Sequence, residues 1–502
     1  MAGDSNSKPV VFIGAAGEMC RIAVERFAKA SNAHFILADI NTSAIESLAA
    51  SLPPGRADTQ KLNLFDEVAL ENLIRGTRLV VLGAGPYAKT SHPVVRACIK
   101  AKVPYLDFDD DVESTQAALA LTKEAEAAGV PLYIGCGASP GLSNVMVMDA
   151  TRELDSVDSI DVCWLVGDEA SVGKAVLQHL MHIAAGPCLT WVNSKPTVNE
   201  SWVGTTYAPM YADDGERLLH ETAHPEPVTL PRLFPNATRI QCFGSLDPKP
   251  LNGIARGLGS AVRAKSLSMD DAVEFLYNLA INPPLAEGLG GLGQAFRTFK
   301  GHLRGGDISL NELYYVISQS VGPLRYALWG MLEQIWNGEC TTAEVVTYIL
   351  NAATGTKVEN RGGALVRVVG MRGGVPTVIT KRSPTNGKDS YLSATMGTVT
   401  GTSCAAFMVM ALEGGHQRGG VFCPEDWAKP EEFYRALERQ VSSAEKTHIS
   451  AYQFSTNSPS VDQSIILPTE LPLTPYPLIL FLLISDATSA SPLVLLVMTR
   501  SL

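Results

Sequence analysis

Short apolar runs alternate with helically spaced stretches along the first third of the chain, and that alternation leaves few folds open. Val10–Ile13 is a wholly apolar, β-branched run that stops at Gly14, as a strand buried on both faces does. Cys20–Ala30 follows with helical spacing at Ile22, Val24 and Phe27. A second run, His34–Ala38, ends at Asp39, and Thr42–Ser51 reads as helix. Ala57–Leu64 predicts a weaker strand, Glu67–Arg75 a helix and Arg78–Leu82 a strong strand. Pro93–Ala101, Val103–Phe108, Val112–Ala128 and Val130–Cys136 continue as helix, strand, helix and strand. Strands and helices that alternate across short turns predict an α/β fold: a parallel sheet covered by helices on both faces.

The rhythm changes after Gly137. Ser159–Val166 predicts a strand and Val172–Ala185 a helix, before a polar, proline-containing stretch over Lys195–Pro235. Met269–Ala280, Leu310–Gln319, Leu324–Trp336 and Thr342–Ala352 have helical spacing. Ala364–Met371 and Pro376–Lys381 alternate around Gly373-Gly374, a hairpin signal. Thr402–Glu413 and Pro430–Gln440 read as helices. Residues 145–395 are therefore expected to form a second, α+β domain, and no internal repeat is visible.

Composition narrows the function classes. The chain is 46% apolar and 18% charged, enough to build a sizeable core and unlike a disordered chain. A net charge of −11 argues against a nucleic-acid partner, which needs a basic face. The nine cysteines include no CxxC pair, and the start, Met-Ala-Gly-Asp-Ser-Asn-Ser-Lys-Pro, lacks the pattern of a signal peptide. Reduced thiols and a cytoplasmic location are the expectation. Residues 448–502 stand apart, with no Lys, one Arg (Arg500), six Pro and two short apolar runs, Leu478–Ile484 and Leu493–Met498. Each run is too short to span a bilayer, and a surface anchor would be richer in Lys and Arg, so a poorly ordered extension is expected.

The turn Gly14-Ala15-Ala16-Gly17-Glu18-Met19-Cys20 joins the first strand to the first helix. Gly14 permits a tight turn, Gly17 a close approach of backbone to a pyrophosphate, and the helix N-terminus offers free N–H groups and a positive dipole end. Cys20 stands where a third glycine often lies. Asp39 ends the next strand 19 residues beyond Cys20, where a carboxylate would take a ribose 2′-hydroxyl. A carboxylate repels a 2′-phosphate, and Ile40, Asn41 and Thr42 supply no cation, so NAD is favoured over NADP. Gly83, Ala84, Gly85, Pro86 and Tyr87 close the fourth strand at the edge that faces ligand in open α/β sheets, and are expected to contact the cofactor too.

More specific segments follow in order: Val80-Val-Leu-Gly-Ala-Gly-Pro-Tyr87, Val94-Val-Arg-Ala-Cys98, Pro104-Tyr-Leu-Asp107 and Gly135-Cys-Gly-Ala-Ser-Pro-Gly-Leu-Ser-Asn144. With His224-Pro-Glu-Pro-Val-Thr-Leu-Pro231, Ala364–Val378, Thr400-Gly401, Gly420-Val-Phe-Cys-Pro-Glu425 and Pro430-Glu-Glu-Phe433, the series resembles the saccharopine dehydrogenase family, near its lysine 6-dehydrogenase-like branch, over residues 8–440. The resemblance implies a Rossmann domain over 8–144, an inserted α+β substrate and dimerisation domain over 145–395, and a segment, 396–447, that returns to the Rossmann domain. It also implies hydride transfer between a nicotinamide, NAD or NADP, and a carbon bearing nitrogen, in an amino acid or an amino-acid-derived imine. A homodimer is expected from the same source. The other class of function left open is a cofactor-binding relative that is non-catalytic or membrane-associated.

Several residues are candidates for the chemistry. Asp107 ends the fifth strand and either orients the nicotinamide side or caps the loop Asp109-Asp110-Asp111. Gly137, Pro140 and Gly141 are expected to shape the nicotinamide pocket. His224 suits proton transfer near neutrality, with loop packing as the alternative. Arg232 offers a planar fork to a substrate carboxylate or to a salt bridge, and Lys174, Lys249 and Arg256 are further unranked cations. His179 and His182 share a helix face, but no carboxylate or cysteine is seen to complete a metal set, so no metal is expected. Cys20, Cys98 and Cys136 read as structural or cofactor-adjacent, and no GxSxG nucleophile turn occurs.

Overall fold

The structure is a computed structural model that describes residues 8–167, 173–211, 215–281, 310–356, 362–383, 395–415, 418–440, 479–483 and 494–498. It divides into two compact units, Met1–Asp462 and Gln463–Leu502.

The first unit begins with β1 (Val10–Ile13), α1 (Glu18–Ala30), β2 (Phe35–Asp39), α2 (Thr42–Ser51), β3 (Ala57–Lys61), α3 (Glu67–Ile74) and β4 (Leu79–Leu82). It continues through α4 (Tyr87–Ala101), β5 (Tyr105–Asp107), α5 (Val112–Ala120), α6 (Thr122–Ala128) and β6 (Pro131–Tyr133). Helix α1 buries Cys20, Ala23, Val24 and Phe27, the i, i+3, i+4, i+7 stripe of a helix on a sheet. Asn41 and Asp66 start α2 and α3 by accepting the N–H of Ala44 and Ala69. The single helix predicted over Val112–Ala128 is broken at Leu121, whose backbone leaves the helical region while its side chain is buried. The Thr122 hydroxyl donates to the Leu119 carbonyl at 2.6 Å, a local bond that competes with the helical ladder.

Beyond β6 lie α7 (Leu142–Thr151), β7 (Ser156–Gly167), α8 (Lys174–Ala185), β8 (Pro187–Val192), β9 (Lys195–Glu200), β10 (Thr205–Ala208), β11 (Arg217–Glu221), α9 (Glu226–Thr229) and β12 (Arg239–Asp247). Helices α10 (Pro250–Arg263), α11 (Met269–Ile281), α12 (Leu310–Trp336) and α13 (Thr342–Thr354) precede the hairpin β13 (Gly363–Arg372) and β14 (Val375–Arg382). The chain then forms α14 (Met396–Gly414), β15 (Gly420–Phe422), α15 (Pro424–Trp427) and α16 (Pro430–Glu438).

The first sheet runs β3-β2-β1-β4-β5-β6-β15, with every neighbouring pair parallel. Its last strand, β15, comes from the far end of the unit and pairs with β6. Helix α14 packs on α1 so closely that a Cβ on Gly401 would lie 2.6 Å from the Met19 carbonyl oxygen. The second, mixed sheet runs β10-β11-β12-β7-β13-β14, with the β8–β9 hairpin joined to β12. The predicted hairpin turn at Gly373-Gly374 has both residues at positive φ, 57° and 79°, a conformation glycine adopts without penalty.

Helices predicted separately over Leu310–Gln319 and Leu324–Trp336 form one helix, α12, that continues through Pro323. An interior proline costs about 3 kcal/mol. The packing offsets it: a Cβ on Gly330 would lie 1.9 Å from the Gly253 carbonyl oxygen of α10, and one on Gly257 would lie 2.0 Å from that of Tyr326. The two backbones cross through glycines, and Ala327 and Met331 are buried beside them.

In the second unit, the two apolar runs of the tail pair as antiparallel strands β16 (Ile479–Leu483) and β17 (Val494–Met498). The rest of the predicted extension over 448–502 lies outside the described residues. Among the described residues no helix is long and apolar enough to cross a membrane.

Candidate active site

The carboxyl ends of β1, β2 and β4 meet at the glycine turn. Gly14 has φ +84°, and a Cβ there would lie 2.6 Å from the backbone nitrogen of Ala84, so two strand-end turns touch through bare backbone. Gly17 and Glu18 are exposed, and no side chain caps the N-terminus of α1. Asp39 closes the turn: its Oδ2 accepts the Ala16 N–H at 3.0 Å and its Oδ1 that of Asn41 at 2.9 Å. Gly83 explains how Cys20 replaces a third glycine, because a Cβ on Gly83 would lie 2.6 Å from Cys20 Cβ. The close approach of helix and strand is kept by moving the missing side chain to the strand-end residue.

These features fit a dinucleotide. Gly14, Ala15, Ala16, Gly17, Glu18 and Met19 would cradle the pyrophosphate, with Asp39 toward the ribose. Exposed Ile40 and Phe65 lie just beyond β2 and β3 and offer apolar contact. Gly85 is open, with nothing within 4 Å of an added Cβ. Tyr87 differs from its neighbours. It is buried against Phe108, and its hydroxyl donates back to the Leu82 carbonyl at 3.4 Å, so it supports the turn from inside.

Asp107 is fully buried at the end of β5. Its Oδ1 accepts the N–H of Gly135 at 2.7 Å and of Asp109 at 3.2 Å. Burial pushes its carboxyl up to about 6, and burial with Asp107 nearby pushes that of Asp109 well above the usual range. Asp107 therefore anchors both the loop that follows it and the turn after β6. In that turn the Gly137 N–H donates to the Pro140 carbonyl at 3.0 Å. Gly141 has φ +132°, and a Cβ there would lie 1.9 Å from the Gly137 carbonyl oxygen, so no other residue fits.

The region of the mixed sheet meets this turn through Glu226, a fully buried carboxylate that stands out only in the fold. The hydroxyls of Ser139 and Ser143 donate to its Oε1, the latter at 2.9 Å. Its Oε2 lies 3.3 Å from Nδ1 of His224, which packs on Trp164. Burial opposes the charge on Glu226, but His224 and Ser139 hold its carboxyl below the usual range. Cys242 of β12 brings a thiol to the same spot, within 4.8 Å of the His224 and Glu226 donors. Burial, then Glu226, pushes that thiol well up, and its sulfur accepts the Thr222 hydroxyl at 4.0 Å.

Other predicted residues are engaged elsewhere. Arg232 Nη2 pairs with Asp426 at 2.9 Å and with Glu425 at 3.4 Å, and Glu425 accepts from the Asn144 amide at 2.8 Å. Lys174, Lys249 and Arg256 pair with Glu274, Glu344 and Glu339. His179 corrects the expectation that no carboxylate completes its set: Nε2 lies 2.9 Å from Asp110 and Nδ1 3.1 Å from Asp111. His182 likewise faces Glu113 at 3.2 Å. Burial alone would lower the His179 imidazole, but the two aspartates hold it well above its ordinary value. This pair of contacts latches α8 onto the loop after β5.

Ser139, Asn144, Glu226 and Glu425 all lie inside ordered motifs of the sequence. The signal for them was the motif. Which carboxylate faced which partner depended on two domains meeting.

Residues 10–132 match the family described as the saccharopine dehydrogenase NADP binding domain. Trans-acting enoyl reductase of Mycobacterium leprae is 25% identical over 194 residues, covering 35% of this chain and 46% of that protein. The Mycobacterium tuberculosis H37Rv protein of the same name is 26% identical over 163 residues, covering 30% of this chain and 39% of that protein. The chain thus spans less than half the length of the curated relatives it matches. The solved structure of saccharopine dehydrogenase (L-Glu forming) from Saccharomyces cerevisiae superposes with TM-score 0.52 at 13% identity, covering 86% of this chain and 96% of that one. Residues 10–132 are thus similar to the saccharopine dehydrogenase NADP binding domain, and the chain has a saccharopine dehydrogenase-like fold.

Proposed function

We propose that this protein is a nicotinamide-dependent oxidoreductase acting at a carbon–nitrogen bond of an amino acid or an amino-acid-derived imine, by amine oxidation or imine reduction. The observation that carries this reading is the His224–Glu226 pair, fastened through Ser139 to the turn beyond β6. When bound, the nicotinamide supplies the hydride exchange. The chain supplies position and a proton. The glycine turn and the Gly83–Gly85 turn hold the dinucleotide, and Gly137, Pro140 and Gly141 shape the floor beside it. His224 turns Nδ1 toward Glu226, which leaves Nε2 to exchange a proton with the substrate nitrogen. Asp39 disfavours a 2′-phosphate, which supports NAD over NADP. A homodimer is part of the same proposal, tested by light scattering on the purified chain.

A second reading is reduction of a carbon–carbon double bond. It is favoured by the name of the curated relatives and by the pairing of Arg232, Lys174, Lys249 and Arg256 within the chain, away from a substrate carboxylate. A spectrophotometric screen separates the two. Amino acids, pairs of amine and keto acid, and α,β-unsaturated thioesters are each offered with both nicotinamides. Turnover in the first two groups supports the proposal, and turnover only with thioesters favours the second reading. Dinucleotide binding without turnover of any of them rejects both.

A further inference from the structure

We infer that Glu226 is the positioning residue for His224, and that through Ser139 and Ser143 it ties the imidazole to the turn beyond β6. The inference rests on the reading above only for the use made of His224; the tie itself stands on geometry. Glu226 is fully buried, and a lone buried carboxylate is costly unless it is paired and hydrogen-bonded. Its two oxygens divide the task. Oε1 takes the hydroxyls of Ser139, in the turn beyond β6, and Ser143, in the first turn of α7. Oε2 faces His224 Nδ1 at 3.3 Å on the side of the mixed sheet, a charge-pairing distance at which neither buried atom has another hydrogen-bond partner among the described residues. A carboxylate so placed favours a proton on Nδ1, which sets the tautomer and leaves Nε2 as the exchanging nitrogen. Among the described residues, Cys242 from β12 also faces the pair, its thiol pushed well up by burial; Trp164 from β7 covers the imidazole. The carboxylate thus stays charged because both domains contribute to it. A shift of the turn would alter the hydrogen bonds to Oε1 and, through them, the basicity of Oε2 toward the imidazole.

The test follows the His224 ring by nitrogen-15 NMR in the full chain labelled at histidine, without cofactor, with His224→Gln assigning its signal. Glu226→Gln is expected to move that ring's tautomer populations about threefold or more away from the Nδ1-protonated form, because an amide of the same shape carries no charge. Glu226→Asp should restore part of it. Ser139→Ala, which keeps the carboxylate and removes one donor, is expected to move the same tautomer populations the other way, toward the Nδ1-protonated form. It also serves if Glu226→Gln does not fold. A ring whose two nitrogen signals are the same in Glu226→Gln and the parent, or that ignores Ser139→Ala, overturns the inference. A ring that shifts while the pH–rate profile stays fixed supports the positioning role and removes His224 from the reaction, which separates this inference from the proposed function.

Discussion

The two sheets of the first unit hold their functional edges together by different means. At the carboxyl edge of the parallel sheet the work is done by missing side chains: Gly14 against Ala84, Gly83 against Cys20, Gly141 against Gly137. In the mixed sheet it is done by buried charge. Asp161 takes both Arg239 and Arg367, Glu221 takes Gln241 and Asn199, and Glu226 takes His224. One edge is defined by how close backbones come, the other by which groups neutralise each other. Damage at the glycine contacts should therefore be steric and independent of pH, whereas damage at the buried carboxylates, Asp107 of the first region included, should be electrostatic and pH-dependent.

The contrast can be broken or sharpened at chosen positions. Gly141→Ala puts a Cβ into a carbonyl and forces a strained φ, so a loss of about 3 kcal/mol or more is expected in urea unfolding, equal at pH 6 and pH 8. A pH-dependent loss there would break the comparison. Asp161→Asn leaves two guanidiniums sharing a neutral amide in the mixed sheet. A loss of about 2 kcal/mol is expected, less than for a fully buried pair because both arginines retain some solvent. Asp39→Ser tests the proposed ribose-side role of that carboxylate, and fluorescence titration should show NADPH binding about tenfold tighter relative to NADH.

The smallest effect is expected at the latch between the regions. His179 is held above its ordinary value, so its contribution is complete below about pH 6.5 and fades as pH rises through the raised value. Burial opposes the charge of Asp111, but His179 and His182 hold its carboxyl low, so its share is present above about pH 4 and fades in acid. His179→Ala should cost about 1 kcal/mol near neutrality and flatten the alkaline decline in unfolding free energy.

What could be read from the sequence follows the same division. The strands of the parallel sheet announced themselves because burial on both faces demands continuous apolar runs such as Val10–Ile13. Gly14 and Asp39 were legible because their spacing is set within one strand–turn–helix unit. Leu121 and Pro323 were misread because local propensity decides neither: a threonine hydroxyl breaks one helix and glycine-to-glycine packing sustains the other. His179 seemed to lack partners because its aspartates lie 68 residues and more away in the chain. Glu226 could be quoted in a motif but not singled out, since its meaning depends on Ser139, 87 residues earlier.

The central claim is hydride transfer at a carbon bearing nitrogen, and isotope tracing tests it most directly. The chain is incubated with nicotinamide cofactor deuterated at the transferring carbon and with the imine pairs of the screen, and products are read by mass spectrometry. The account predicts one deuterium on the carbon attached to nitrogen, with incorporation falling about a hundredfold in His224→Ala. Label found only on a former carbon–carbon double bond, or no label in any product despite bound cofactor, would contradict it.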